Sequence, residues 1–172
     1  MDSLVEQAKQ GSKEAFTLLI RKIELDLYRI SKSILKRDAD CEDAIQETIL
    51  LAYDHLPSLK QAAYFKTWIT RILIHECYSI IQAHKKIIPV SEIIESKNPA
   101  NDYTQIEVKE MLGRLKEDIR LTAILYYIHD FNTKEIATIL DIPQGTVKSR
   151  LSRAREQLKK ELLDKTKEVK HG

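Results

Sequence analysis

The chain has 172 residues, of which 43% are hydrophobic and 31% charged, with four glycines and four prolines. That balance favours helices in one medium domain or two small ones, and it is too apolar for a wholly disordered chain. The near parity of 28 Lys and Arg with 26 Asp and Glu excludes a uniformly basic or acidic protein. Apolar runs such as Ile49 to Tyr53 fall far short of the roughly 18 residues a membrane span needs, so no membrane insertion is expected. Met1-Asp2-Ser3 leads straight into charged residues instead of a signal peptide, which predicts a cytoplasmic protein.

In chain order, Ser12 precedes Phe16, Leu19, Ile20, Ile23, Leu27, Ile30 and Ile34, whose three- and four-residue steps predict an amphipathic helix. Lys36-Arg37-Asp38-Ala39 interrupts it. Asp40 and Asp43 then suit a capping arrangement that opens a second helix through Ile45, Ile49 and Ala52 to Leu56, and Pro57 ends it. A third helix is expected from near Phe65, carrying Trp68, Ile69, Ile72, Leu73, Cys77, Ile80 and Ile81 to a basic stop at His84-Lys85-Lys86. Cys41 and Cys77 have neither CxxC spacing nor partners for a disulfide framework, so two reduced, buried thiols are expected.

Two features of this half exceed core building. Asp40, Glu42, Asp43 and Glu47, with Gln46 beside them, put carboxylates on the first turns of a helix, where the dipole favours them. They can serve as caps, or as an acidic, hydrogen-bonding surface for a basic protein partner. Farther along, Lys60-Gln61-Ala62-Ala63-Tyr64-Phe65-Lys66-Thr67-Trp68-Ile69-Thr70-Arg71 interleaves three aromatics with cations. Aromatic faces stack on unpaired bases while cations track phosphates, so this stretch suits single-stranded nucleic acid. Trp68 alone falls in register with Ile72 and reads as core. Tyr64 and Phe65 precede that register and are the better candidates for outside contacts.

Ile87 to Tyr103 contains Pro89 and Pro99 among Ser and Asn residues and lacks a helical period, which predicts a flexible linker. Extended at about 3.1 Å per residue it spans about 50 Å, so two modules can reach separated parts of one target. Beyond it, Leu121, Ile124, Leu125 and Ile128 form a helical stripe ending near His129-Asp130-Phe131. Asn132 or Thr133 with Glu135 opens a short helix through Ile136, Ala137 and Leu140. Asp141-Ile142-Pro143-Gln144-Gly145 supplies a turn, and a last helix is expected from about Thr146 towards Leu163. Gln144 to Lys160 holds six Lys and Arg against one Glu. Charge runs of this kind are also ordinary solvated faces. Here, however, cap, turn, apolar arc and cationic face agree on a DNA-reading helix-turn-helix. Val147, Leu151, Ala154 and Leu158 share one arc and should face the core, leaving Lys148, Ser149, Ser152, Arg153 and Glu156 outward to read base edges. Arg150 and Arg155 flank the arc, where phosphate clamping is expected.

Catalytic patterns are absent from the sequence. His75-Glu76-Cys77 invites comparison with His-Glu-x-x-His, but residue 79 is Ser; no Ser or Cys sits in a glycine-rich elbow and no glycine-rich phosphate loop exists. Neither an enzyme nor a cofactor or metal is expected.

Asp40-Cys41-Glu42-Asp43-Ala44-Ile45-Gln46-Glu47-Thr48, then Phe65-Lys66-Thr67-Trp68, then Lys134-Glu135-Ile136-Ala137 and Gly145-Thr146-Val147-Lys148-Ser149-Arg150-Leu151-Ser152-Arg153-Ala154-Arg155 closely resemble bacterial RNA polymerase sigma factors of the extracytoplasmic function (ECF) class. The resemblance implies an all-α protein of two small helical domains: sigma region 2 over 1–86, a linker over 87–105, sigma region 4 over 106–168 and a tail over 169–172. It implies that Asp40, Asp43, Gln46 and Glu47 dock on the clamp helices of the polymerase's largest subunit. Lys60, Tyr64, Phe65, Lys66, Trp68 and Arg71 would lie at the −10 element, where DNA melts. Thr146, Lys148, Ser149, Arg150, Ser152, Arg153 and Arg155 would meet the −35 element, with the same domain on the flap of the second-largest subunit. An anti-sigma protein and a stress-response role are also implied. Ile72-Leu73-Ile74-His75 departs from the Ala-Arg-Asn that many members carry there. The alternative is a stand-alone helix-turn-helix regulator, which leaves the acidic helix and the aromatic-cationic stretch without roles.

Overall fold

The computed structural model describes residues 1–87 and 111–169. All but the first residue of the expected linker, residues 106–110, and 170–172 of the expected tail lie outside the described residues. Helices and short 3-10 turns make up the regular structure, with no strand among the described residues, and the chain divides into two compact units.

The N-terminal unit contains α1 (Asp2–Lys9), α2 (Lys13–Ile34), α3 (Asp38–His55) and α4 (Phe65–Ile87), with 3-10 turns at Leu56–Ser58 and Ala62–Tyr64 between the last two. Periodicity does not predict α1, because Val5 is its only buried residue. Gly11, at φ +97°, takes a conformation L side chains rarely adopt, and it joins α1 to α2. Ser12 caps α2, its Oγ accepting from the Ala15 amide at 3.2 Å, and Phe16, Leu19, Ile20, Ile23, Leu27 and Ile30 of the expected stripe are buried. Helix α3 differs from expectation at its start. It begins at Asp38, its N-cap Arg37 makes no side-chain cap bond, and Asp40 and Asp43 lie inside the helix. Asp38 instead ties α3 to α2, accepting from Tyr28 Oη at 3.0 Å and from Lys32 Nζ. Burial by itself lowers the Lys32 pKa, but the hydrogen bond and charge of Asp38 outweigh it and leave that pKa raised.

Cys41 on α3 and Cys77 on α4 are free and buried, as the spacing predicts. Burial pushes both thiols up, Cys77 to about 12, so neither forms a thiolate at neutral pH.

In the C-terminal unit, residues 111–113 are helical and precede α5 (Glu117–Tyr127), α6 (Thr133–Leu140) and α7 (Gln144–Val169). Leu112, Leu115, Ile119, Ala123, Ile124 and Ala154 form a core cluster against which Leu158 packs. Ile128 drops out of the predicted stripe: α5 ends at Tyr127, and Ile128, at its C-cap, stands exposed. Asn132 and Glu135 form a complete capping box. Asn132 Oδ1 accepts from the Lys134 and Glu135 amides at 3.0 Å each, and Glu135 Oε2 accepts from the Asn132 amide at 2.8 Å. Asn132→Ala is expected to cost the C-terminal unit about 1 kcal/mol, measurable as a lower denaturant midpoint.

The turn between α6 and α7 is not governed by Gly145. Asp141 takes the left-handed conformation at φ 53°, and the Ile142 amide donates to Ala137 O at 3.1 Å. Asp adopts this region at modest cost because its short side chain can hydrogen-bond locally. Gly145 already lies within α7, whose first amides from Thr146 and Val147 donate to Pro143 O.

Candidate functional site

Helix α3 carries an acidic outer line. Asp43, Gln46 and Glu47 are exposed, and Leu50 and Asp54 continue the line with four-, three- and four-residue steps from Asp43. At 100° per residue, Asp43, Glu47, Leu50 and Asp54 fall within an arc of about 60°. Leu50 is 61% exposed, an apolar group flanked by carboxylates. It was not among the residues singled out from sequence, though the same helical period contains it. Asp40 requires correction: it is only 8% exposed, turned inward with its Oδ1 3.7 Å from His84 Nε2 on α4, so it offers little to a partner. Its position explains this, because it precedes the buried Ala44 and Thr48 by one and two turns.

The stretch entering α4 also rearranges the expected roles. Phe65 is 0% exposed, whereas Trp68 is only half-buried. Phe65 opens the line Phe65, Ile69, Leu73 and Cys77, all in steps of four and all buried, so it starts the core stripe instead of preceding it. Trp68, one residue before Ile69, falls on the flank, its ring centroid 6.1 Å from that of Phe65. Tyr64, in the preceding 3-10 turn, is 51% exposed and Lys60 is exposed. Lys66 forms an ion pair with Asp26 of α2 at 3.4 Å. From Trp68 the outer face continues through Arg71, His75, Tyr78, Gln82 and Lys85, spaced by alternate threes and fours; all five beyond Trp68 are exposed. This line of ring, cation and amide groups runs about 25 Å at 1.5 Å per residue. His75, Tyr78 and Gln82 are further contact candidates, and the solvent-side period of α4 is the signal that identifies them. No cluster of metal-ligating side chains occurs among the described residues.

On α7, Val147, Leu151 and Ala154 are buried, and Lys148, Ser149 and Arg153 are exposed. Thr146 is half-buried at the edge of that face, and Ser152, also half-buried, falls within it between Lys148 and Ser149 at 100° per residue. Gln144 Nε2 donates to Thr133 Oγ1 at 2.7 Å, linking the first residues of α7 and α6. Arg150 pairs with Asp118 of α5 at 3.4 Å, its side chain 22% exposed. Arg155 lies 3.4 Å from Tyr127 Oη and remains exposed. Both arginines therefore brace α7 against α5 from the flanks of its buried arc, while Lys148, Ser149 and Arg153 stand clear. Ser149 Oγ donates to Thr146 O at 3.0 Å.

A short helix and a long one joined by a tight turn, the second with exposed donors opposite a buried arc, together with a separate helical unit bearing an acidic face, define a helix-turn-helix protein with an attached helical module. The family model described as Sigma-70 region 2 matches residues 19–87, and that described as Sigma-70, region 4 matches residues 105–158. The chain is 30% identical over 173 residues to the ECF RNA polymerase sigma-E factor of Escherichia coli (strain K12), covering 90% of each protein. It is 27% identical over 178 residues to that of Haemophilus influenzae, covering 93% of this chain and 94% of the relative. In fold it is similar to CnrH, solved in complex with the cytosolic domain of CnrY, with a TM-score of 0.71, 23% identity and coverage of 95% and 96%. It is similar also to the sigma factor RpoE of Bartonella quintana, solved with the anti-sigma factor NepR, with a TM-score of 0.70, 24% identity and coverage of 86% and 96%.

The chain belongs to the ECF family of RNA polymerase sigma factors. These are transcription-initiation factors and not enzymes. Among the described residues no helix is long and apolar enough to cross a membrane.

Proposed function

We propose that this sigma factor binds core RNA polymerase through the outer line of α3, with Asp43, Gln46 and Glu47 on the clamp helices of the largest subunit and Leu50 adding an apolar contact. Tyr64 and Trp68 supply the aromatic faces that hold unpaired bases of the −10 element, with Lys60 and Arg71 near the phosphates. Phe65 supports this site from the core, and Lys66 shares its charge with Asp26. Helix α7 reads the −35 element through Lys148, Ser149, Ser152 and Arg153, with Thr146 at its entry. Arg150 and Arg155 set the helix's pose and meet phosphates at its edges. The C-terminal unit also rests on the flap of the second-largest subunit, and the segment over 87–105 follows the RNA exit path. A protein inhibitor of the anti-sigma class holds the factor inactive, a reading supported by the NepR complex of the Bartonella quintana relative.

The observation that carries this reading is the coincidence of surface and family match. The exposed acidic line falls within the segment similar to region 2, and the exposed donor face of α7 falls within the segment similar to region 4. The chemistry of nucleotide addition stays with the polymerase.

In vitro transcription with purified core polymerase on a promoter library, with start sites sequenced, tests the reading. Defined start sites are expected only when the protein is added. No start site, together with specific duplex binding by the protein alone, would favour a stand-alone regulator. Arg153→Ala is expected to cost about 1–3 kcal/mol at the −35 element and to relax preference at one base pair. Competition between matched and mismatched promoters checks this, since a uniform loss on every sequence would make Arg153 a phosphate contact.

A further inference from the structure

Helix α2 has a second face that the proposed functions leave unused. Leu18, Arg21, Lys22, Leu25 and Arg29 are all exposed, with Leu25 at 60%. At 100° per residue they share an arc of about 100° on the side opposite the buried stripe of Phe16, Leu19, Ile23, Leu27 and Ile30. Glu14 is the acid at its N-terminal end. Single exposed leucines are ordinary on a protein surface. Here two of them stand seven residues apart on one line, flanked by three cations.

The α3 line is its counterpart in charge and length. Asp43, Glu47 and Asp54 surround Leu50 within the twelve residues 43–54, as Arg21, Lys22 and Arg29 surround Leu25 within the twelve residues 18–29 of α2. Both lines are convex, solvent-facing helix surfaces, and each opposes the charge sign of the other while offering leucine at its centre. We propose that a second copy of this chain is the partner of the α2 face: α2 of one protomer lies against α3 of another, leucine against leucine, with Arg21, Lys22 and Arg29 facing Asp43, Glu47 and Asp54. Contacts of this size and polarity are weak and salt-sensitive, so the association is one of the concentrated free protein. Pairing buries the α3 line, so self-association and any other ligand of that line exclude each other. The pairing itself does not depend on α3 docking to polymerase.

Sedimentation of the full chain without polymerase is the test. Over about a hundredfold range of concentration at low salt, the apparent mass should rise from one chain to two and above, because each α2–α3 contact leaves a further α2 face and α3 face free and assembly follows mass action. Arg21→Glu with Lys22→Glu should move this rise to at least about tenfold higher concentration, and so should Asp43→Arg with Glu47→Arg. Mixed in equal amounts, the two double variants should associate again, since the acidic α3 of the first meets the basic α2 of the second. A wild-type mass of one chain throughout, either double variant associating as the wild type does, or a mixture no heavier than its components would each overturn the proposal.

Discussion

Phe65→Ala is expected to destabilise the N-terminal unit by about 3–5 kcal/mol, because truncating a fully buried aromatic removes its burial and leaves a cavity between α4 and its neighbours. At the usual scaling this lowers the unit's melting temperature by about 12 °C or more. Tyr64→Ala, one residue away, should leave the melting temperature unchanged, since the ring is half exposed and its loss opens no cavity. Its effect should fall on promoter opening, read as permanganate reactivity of unpaired thymines with core polymerase present, by about tenfold for one lost stacking contact. The contrast separates an aromatic that holds the unit together from one proposed to hold a base. Equal melting temperatures for the two variants would return Phe65 to the surface.

The second large effect is expected from charge reversal on α3. Asp43→Arg with Glu47→Arg should weaken binding to core polymerase by about thirtyfold or more, as expected when a central charged contact costs at least about 2 kcal/mol. Both side chains are exposed, so the helical circular dichroism should stay that of the wild type. Asp40→Asn, by contrast, should leave polymerase affinity near its wild-type value, because Asp40 faces His84 and not the solvent. A pull-down titration against core enzyme measures both. Unchanged affinity for the double reversal would remove α3 from the docking surface.

Much of this was legible because helices announce themselves by period. The buried sets of α2 and α7 are the apolar positions that three- and four-residue steps pick out, and the Asn132 and Glu135 box follows from two residue types at the right separation. What was not legible depended on choices that period alone leaves open. Helix α1 buries only Val5, so no stripe marks it. Phe65 and Trp68 are three apart, and either can start the core line of α4; the side on which Ile69 and Leu73 pack decides for Phe65. Asp40 and Asp43 both resemble caps, yet the chain enters the helix two residues before Asp40, and the Asp38 bonds to Tyr28 and Lys32 accompany that earlier start. A glycine near a turn suggests the left-handed position, but Asp141 occupies it and Gly145 becomes a helical residue. The surface roles were legible to the extent that exposure is complementary to burial, which is why Leu50, His75, Tyr78 and Gln82 emerge only once the buried side of each helix is known.

The burial of Val147, Leu151 and Ala154 sets the rotation of α7 about its own axis, and the exposed Lys148, Ser149 and Arg153 between them are answerable to the core hardly at all. Two vocabularies are thus written on one helix in alternation. If α7 reads the −35 element as proposed, substitutions at 148, 149 and 153 should change which promoter is chosen while the domain folds as before. Inserting one residue between Val147 and Lys148 would instead turn Leu151, Ala154 and the outward side chains together by about 100° relative to Val147, so that the buried arc is broken along with the outer face. New promoter preferences should therefore arise in such a protein by exchanging letters at fixed positions and not by changing the length of the word.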